Sequence, residues 1–503
     1  MSTLRPLLAI AGAFILSSCG AAPPSTIRDL AALDGVTSGI TGLPLTTASA
    51  DARNHFLQGQ RELDLGRFFE ANDHFKRAVA ADSTFAIAYD NVANTGNSLE
   101  EFKTNLARAE QHAAGASDAE RIQIQIDRRG FENNVSGQLA LAQQLVLKYP
   151  DSPRAYLVLG NLQTALNRSA DARASISKAL GLAPRLLIAH TDIGNSYLNS
   201  EPKDFTKALE HFQHAEALAP NEPYMHDLLG DAQRALNDMP QARAEYTRGH
   251  ELNPRDASLL QQRGHVNSFA EDYAAARADY DSAMALGRGN ERAAFAPFRA
   301  YVSAYAGDTP GAIAELNRLV AEVDGMGLPD PRGLKINALT NVAVIAIHTG
   351  DFAAVDAALK QRTPLMMQQA DRAGSAAFRR AQEANVASFD AWLAARKGDY
   401  EAARRATDRM AALVAPDANP RKLEPVHQLR GFIALYQGNS QDAVAHFAQG
   451  NLNDPYIKYY YAVALEGAGQ TEKAKQLFRE IATYNFNTLG YALIRKEAQQ
   501  KSS

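Results

Sequence analysis

Residues 152–184, SPRAYLVLGNLQTALNRSADARASISKALGLAP, run without a gap into RLLIAHTDIGNSYLNSEPKDFTKALEHFQHAEALAP (185–220), NEPYMHDLLGDAQRALNDMPQARAEYTRGHELNP (221–254) and RDASLLQQRGHVNSFAEDYAAARADYDSAMALGR (255–288). The four stretches share one frame. Pro184, Pro220 and Pro254 stand 36 and 34 residues apart, and Gly160, Gly194, Gly230 and Gly264 recur at intervals of 34, 36 and 34. An apolar residue precedes three of these glycines (Leu159, Ile193, Leu229), with Arg263 before the fourth. Further on, each stretch has a small residue (Ala172, Ala208, Ala242, Ala276), a bulky one (Ile176, Phe212, Tyr246, Tyr280) and a second small one (Ala179, Ala215, Gly249, Ala283). Small and apolar positions at helical spacing predict two helices per stretch, crossing closely where the glycine of the first meets the alanine of the second. Proline stops the second helix because it lacks an N–H and disfavours helix in the residue before it.

This frame closely resembles the tetratricopeptide repeat. The resemblance implies an all-α fold, a right-handed α-solenoid of tetratricopeptide-type helix pairs. Fainter copies extend it both ways. ARNHFLQGQRELDLGRFFEANDHFKRAVAADS keeps Gly59, Gly66, Phe68, Ala71, Phe75 and Ala78, and LALAQQLVLKYP ends at Pro150, 34 residues before Pro184. Downstream, Gly307, Gly350, Gly398, Gly438 and Gly469 each precede Asp, Asn or Gln, a pairing suited to ending one helix and starting the next. About ten to eleven units are expected over residues 52 to 484. EVDGMGLPDPRGL and QRTPLMMQQADRAGSAAF break the frame and are expected to be long connections. The partition is then 52–150 for N-terminal degenerate units, 151–290 for the well-matched ones, 291–484 for C-terminal degenerate ones, and 485–503 for a capping helix and tail.

Ahead of the repeats stands MSTLRPLLAIAGAFILSSCGAAPP, whose Cys19 is the sole cysteine. Arg5 and the apolar run Leu7 to Leu16 form a secretory signal over residues 1–18, the run being half the ~20 residues a membrane span requires. Leu16-Ser17-Ser18-Cys19 resembles the lipobox of bacterial lipoproteins, which implies cleavage before Cys19 and its lipidation. Gly20 stands where an inner-membrane retention signal would carry Asp, so the resemblance points to the outer membrane, facing the periplasm. Residues 19–51 complete the leader as lipidated cysteine and flexible tether, rich in Ala, Ser, Thr, Gly and Pro. With that thiol acylated none is left to pair, so packing alone must hold the fold.

The formal net charge is −4, and one unit more negative without the signal's single Arg. That balance supplies no basic field and argues against nucleic acid as a partner. Searching for chemistry yields no constellation. Ser175-Ile-Ser-Lys178 has the spacing of a serine nucleophile but falls on the outward face of a well-matched second helix. His211 and His214 sit one helical turn apart without a third metal ligand in view, and GMGLPDPRGLK has the wrong spacing for a phosphate loop. No enzyme, cofactor or metal is therefore expected.

The resemblance instead implies a concave surface lined by first helices. The frame puts Arg154, Asn161 and Thr164 there in one unit, then Thr191, Asn195 and Asn199, then Tyr224, Asp227, Asp231 and Arg234, then Gln261, His265 and Phe269. Asn161 and Asn195 share a slot from which, in this family, an asparagine often bonds a peptide backbone, its amide both donating and accepting. Leu157 stands where a chaperone-binding clamp would carry lysine, so a chaperone tail is not implied. The expected function is a lipid-anchored periplasmic scaffold binding protein or peptide partners, in envelope assembly, secretion or pilus biogenesis. The alternative is a binding module for an envelope glycan, for which Tyr456, Tyr459 and Tyr460 are the only hint.

Overall fold

The computed structural model describes residues 42–502 apart from 97, 288, 289 and 329. Cys19, the signal and most of the tether lie outside the described residues. The described chain is an all-α solenoid, with 25 helices in consecutive pairs and no strand. Twelve pairs precede the terminal helix, against the ten to eleven expected. No described helix is long and apolar enough to cross a membrane. The chain divides into two compact units, one running to Arg263 and including Ala285–Glu291, the other comprising Gly264–Met284 and Arg292 onward.

In the first unit the helix pairs run from Ala50–Asp64 with Phe68–Ala81 to Pro223–Ala235 with Met239–Leu252. The recurring glycines explain the close crossing, but with a different partner from the one expected. A Cβ on Gly160 would lie 2.7 Å from Ile176, one on Gly230 would lie 2.5 Å from the Tyr246 ring, and one on Gly194 would strike Phe212. The glycine thus faces the bulky residue of the second helix, while Ala172, Ala208 and Ala242 are buried beside it. Each bulky side chain fills the space a side chain at the glycine would take and stabilises by ~2 kcal/mol through burial. Packed structure begins before the expected boundary at residue 52. Leu43 and Leu45 pack on the unit's core, Thr46 N–H donates to Glu120 at 2.9 Å, and Ser49 caps the first helix.

The second unit holds the later pairs and the terminal helix Leu489–Lys501. Gly307, Gly350, Gly398, Gly438 and Gly469 all have positive φ, as their turns require, and Asp308, Asp351, Asp399 and Asn439 cap the following helices. Two expectations change here. QRTPLMMQQADRA is no connection but the second half of the 22-residue helix Phe352–Ala373, which carries Pro364 in its interior. Long unbranched neighbours with high helix propensity offset the one lost backbone hydrogen bond. The tail also does more than cap. The Asn487 amide donates to Tyr280 Oη and accepts from Tyr305 Oη at 3.1 and 3.0 Å, and Arg495 donates to the Phe269 carbonyl at 2.8 Å.

Candidate functional site

Ser152 accepts the Ala155 N–H and Pro153 occupies the first turn, so helix Pro153–Ala165 starts where Arg154 projects from its N-terminal end. Arg154 grips the carboxylate of Asp64 with both terminal nitrogens, one of them at 2.9 Å. Asp64 ends the first described helix, so the first described repeat meets the fourth. Beside it Arg67 donates to both oxygens of Glu222 at 2.5–3.0 Å and to Glu62 at 3.2 Å. Gly66 makes this turn with φ +77°, and a Cβ there would enter the Tyr224 ring. First helices are also joined to their neighbours: Asn161 donates to Asp192 at 3.3 Å, and Arg234 to Gln262 at 3.1 Å. Arg234 further pairs with Asp231 at 2.5 Å, and Asp231 accepts the Tyr246 hydroxyl at 2.7 Å.

These links define one polar face across the first helices of the first unit. A cavity opens on it between Arg67, Glu70, Glu222, Tyr224, Asp227 and Asp256. Acceptors outnumber donors there. Asn195 Oδ1 and Asp227 Oδ1 are buried and have no hydrogen-bond partner. Burial, with the like charge of Asp231 next, pushes the Asp227 carboxyl up to about 7. Burial also pushes Asp192 up to about 7 against the hydrogen bond from Asn161. A buried acceptor without a donor costs ~1–3 kcal/mol, which an incoming N–H would recover.

Of the residues expected on the concave face, Asn161 is exposed, and Arg154, Asn199, Tyr224, Asp227 and Gln261 are partly buried. Asn195, Asp231 and Arg234 are buried on the same face. Four expectations need correction. Thr164 and Thr191 are buried and turn their hydroxyls back onto the carbonyls of Gly160 and Ile188, satisfying themselves within their own helices. His265 and Phe269 belong to the core of the second unit: His265 bonds Tyr280 at 2.6 Å, and the Phe269 ring packs edge-on against Tyr305. Asp64, Arg67, Asp192 and Glu222 were not anticipated. Asp192 had a sequence signal, since its slot holds Val158 and Leu228 in the flanking units.

Elsewhere, Ser175 Oγ donates to Gln163 at 2.7 Å. Tyr456 and Tyr459 are buried, with Tyr456 bonded to His348 at 3.0 Å, so they form no open platform for a sugar. Among the described residues no three His, Cys, Asp or Glu side chains are placed so that they could hold a metal ion.

A tetratricopeptide-repeat family profile matches residues 153–186, which form one helix pair of the first unit. No curated protein matches the sequence. Among solved structures, MamA 41-end from Desulfovibrio magneticus RS-1 is 20% identical over 34% of this chain and 96% of its own, with TM-score 0.30. YrrB, described as a TPR protein with an unusual peptide-binding site, is 19% identical over 36% of this chain and 91% of its own, with TM-score 0.26. The Cut9–Hcn1 hetero-tetramer structure from the APC/C is 16% identical over 85% of this chain and 79% of its own, with TM-score 0.39. Likeness at this level carries no argument about function. None of these matches indicates an enzymatic family.

Proposed function

Because the chain is a tetratricopeptide-repeat solenoid, a fold typical of protein–protein interaction, we propose that it is a lipid-anchored periplasmic scaffold holding a protein partner on the first-helix face of its first unit. The anchor rests on the lipobox-like Leu16 to Cys19, and the absence of Asp after Cys19 favours the outer membrane. One observation carries the binding role: Asn195 Oδ1 and Asp227 Oδ1 are buried acceptors without donors, on a face otherwise knit by ion pairs. A partner segment with free backbone N–H groups would supply the donors, each bond worth ~0.5–1.5 kcal/mol net and more where charged. Envelope assembly, secretion and pilus biogenesis are the processes such a scaffold would serve.

Affinity capture from detergent-solubilised envelope tests the proposal. A reproducible protein partner, lost when Asp227 and Asn195 are both changed to Ala, supports it. Capture of glycan alone, or the same partner yield from the double variant, counts against it.

A further inference from the structure

The sequence shows His211 and His214 one turn apart and no third imidazole nearby; the fold supplies one. His190, on helix Leu187–Asn199, places its Nδ1 3.4 Å from Nδ1 of His211 on the following helix, Phe205–Leu218. The His190 ring centre lies 5.7 Å from that of His211 and 5.5 Å from that of His214. The nitrogen separation is that of two ligands on one ion, the ring centres stand slightly wider, and His214 is a neighbour whose ring must move to join them. Two imidazole nitrogens each ~2.0–2.1 Å from a tetrahedral ion stand roughly 3.3–3.4 Å apart, and their ring centres a little over ~5 Å.

We propose that His190, His211 and His214 form a binding site for a divalent transition ion of the Zn²⁺ or Cu²⁺ class, independent of the protein-binding face. His190 and His211 are already poised. His190 Nε2 lies 3.0 Å from the Pro184 carbonyl, which can only accept, so Nε2 carries the proton and Nδ1 presents its lone pair towards His211. A second-shell carbonyl of this kind fixes the tautomer of metal-binding histidines. Tyr197 stacks on the His211 ring at 8° between planes and holds its orientation. The bound ion replaces the shared proton between the two Nδ1 atoms, and His211 takes its own proton on Nε2. His214 is exposed, so its side chain turns on the helix surface to become the third ligand, and water fills the fourth position.

The same pairing recurs elsewhere without a third ring. His55 and His74 meet Nδ1 to Nδ1 at 3.3 Å, and His427 and His446 at 3.4 Å, both 19 residues apart in sequence. At this slot of another unit, also 19 residues apart, His226 bonds Glu245 at 2.8 Å instead. Among the described residues, of these histidine pairs only His190–His211 has a third ring packed beside it.

Zn²⁺ titration in competition with a chromophoric chelator tests the assignment, in a His74→Gln, His446→Gln background that breaks the other two pairs. That background should bind one Zn²⁺ per chain. His190→Gln should weaken it about 100-fold and His214→Gln at least about ten-fold, with the metal-free melting temperature of the His214 variant unchanged. Co²⁺ in place of Zn²⁺ should give the intense visible absorption of a tetrahedral site. Absence of binding in the background protein, or equal affinity after His214→Gln, would overturn the proposal.

Discussion

Asp192 shows how one residue can carry both a structural cost and a functional hint. Its carboxyl is raised to about 7 in the fold against 3.8 ordinarily, chiefly by burial. A carboxyl whose folded value is raised favours the fold when protonated. Its contribution is therefore fully present below about pH 4 and is lost as the pH climbs through about 7. Asp192→Asn keeps the carbonyl that accepts from Asn161 and removes the charge. The variant should melt higher than wild type at pH 8, by on the order of 2 kcal/mol, and match it at pH 4. Thermal melting at the two pH values checks this. Burial raises the Asp64 carboxyl too, but a cation stands beside it. Its ion pair with Arg154 is well buried, with side-chain exposures of 2% and 14%. Asp64→Ala leaves a guanidinium without a partner and should cost about 3–5 kcal/mol, while Asp64→Ala with Arg154→Met should regain most of it. A double-mutant cycle in denaturant measures both. Asp192 was legible as an acid in a slot that is apolar in the flanking units, whereas Asp64 was not, because an ion pair between the first and fourth repeats depends on how the stack curves, and local spacing does not encode curvature.

The helix pair is the element the sequence describes best. Gly160, Gly194, Gly230 and Gly264 mark the close crossings of the central block, and each faces the bulky residue that the frame singles out. What the frame misassigned was the contact itself, since a small residue on each helix suggests small against small, whereas packing sets bare backbone against a bulky side chain. Gly230→Ala should therefore cost about 1–3 kcal/mol by overpacking Tyr246, and a urea titration reads that directly. Outside the central block the signal fades where longer helices replace the 34-residue unit. Phe352–Ala373 hid behind Pro364, because a helix breaker outweighs propensity in a local reading. The terminal helix was recognised, but not its return to Phe269 and Tyr280. Ending the chain at residue 484 should expose that core and lower the melting temperature of the second unit by several degrees, which differential scanning calorimetry can follow.

For the whole molecule, the solenoid follows from repetition alone, whereas its partner does not, because the residues that would recognise one come from several units at irregular slots. Asp227 and Asn195 occupy different slots of adjacent units, yet both leave a buried acceptor open on one face. Anchoring is a separate property. Cys19→Ala should abolish incorporation of a fatty-acid analogue, and equal labelling of the two proteins would remove the anchor from the account. The central claim, that the first-helix face holds a protein partner, is tested most directly by that partner's affinity for an Asn195→Ala, Asp227→Ala variant. The control is Ser177→Ala, Lys178→Ala on the exposed surface of a second helix. The predicted result is a loss of about ten-fold or more for the first pair, from two bonds of ~0.5–1.5 kcal/mol, and wild-type affinity for the control. Unchanged affinity in the first pair with loss in the control would contradict it, and would place binding on the second helices.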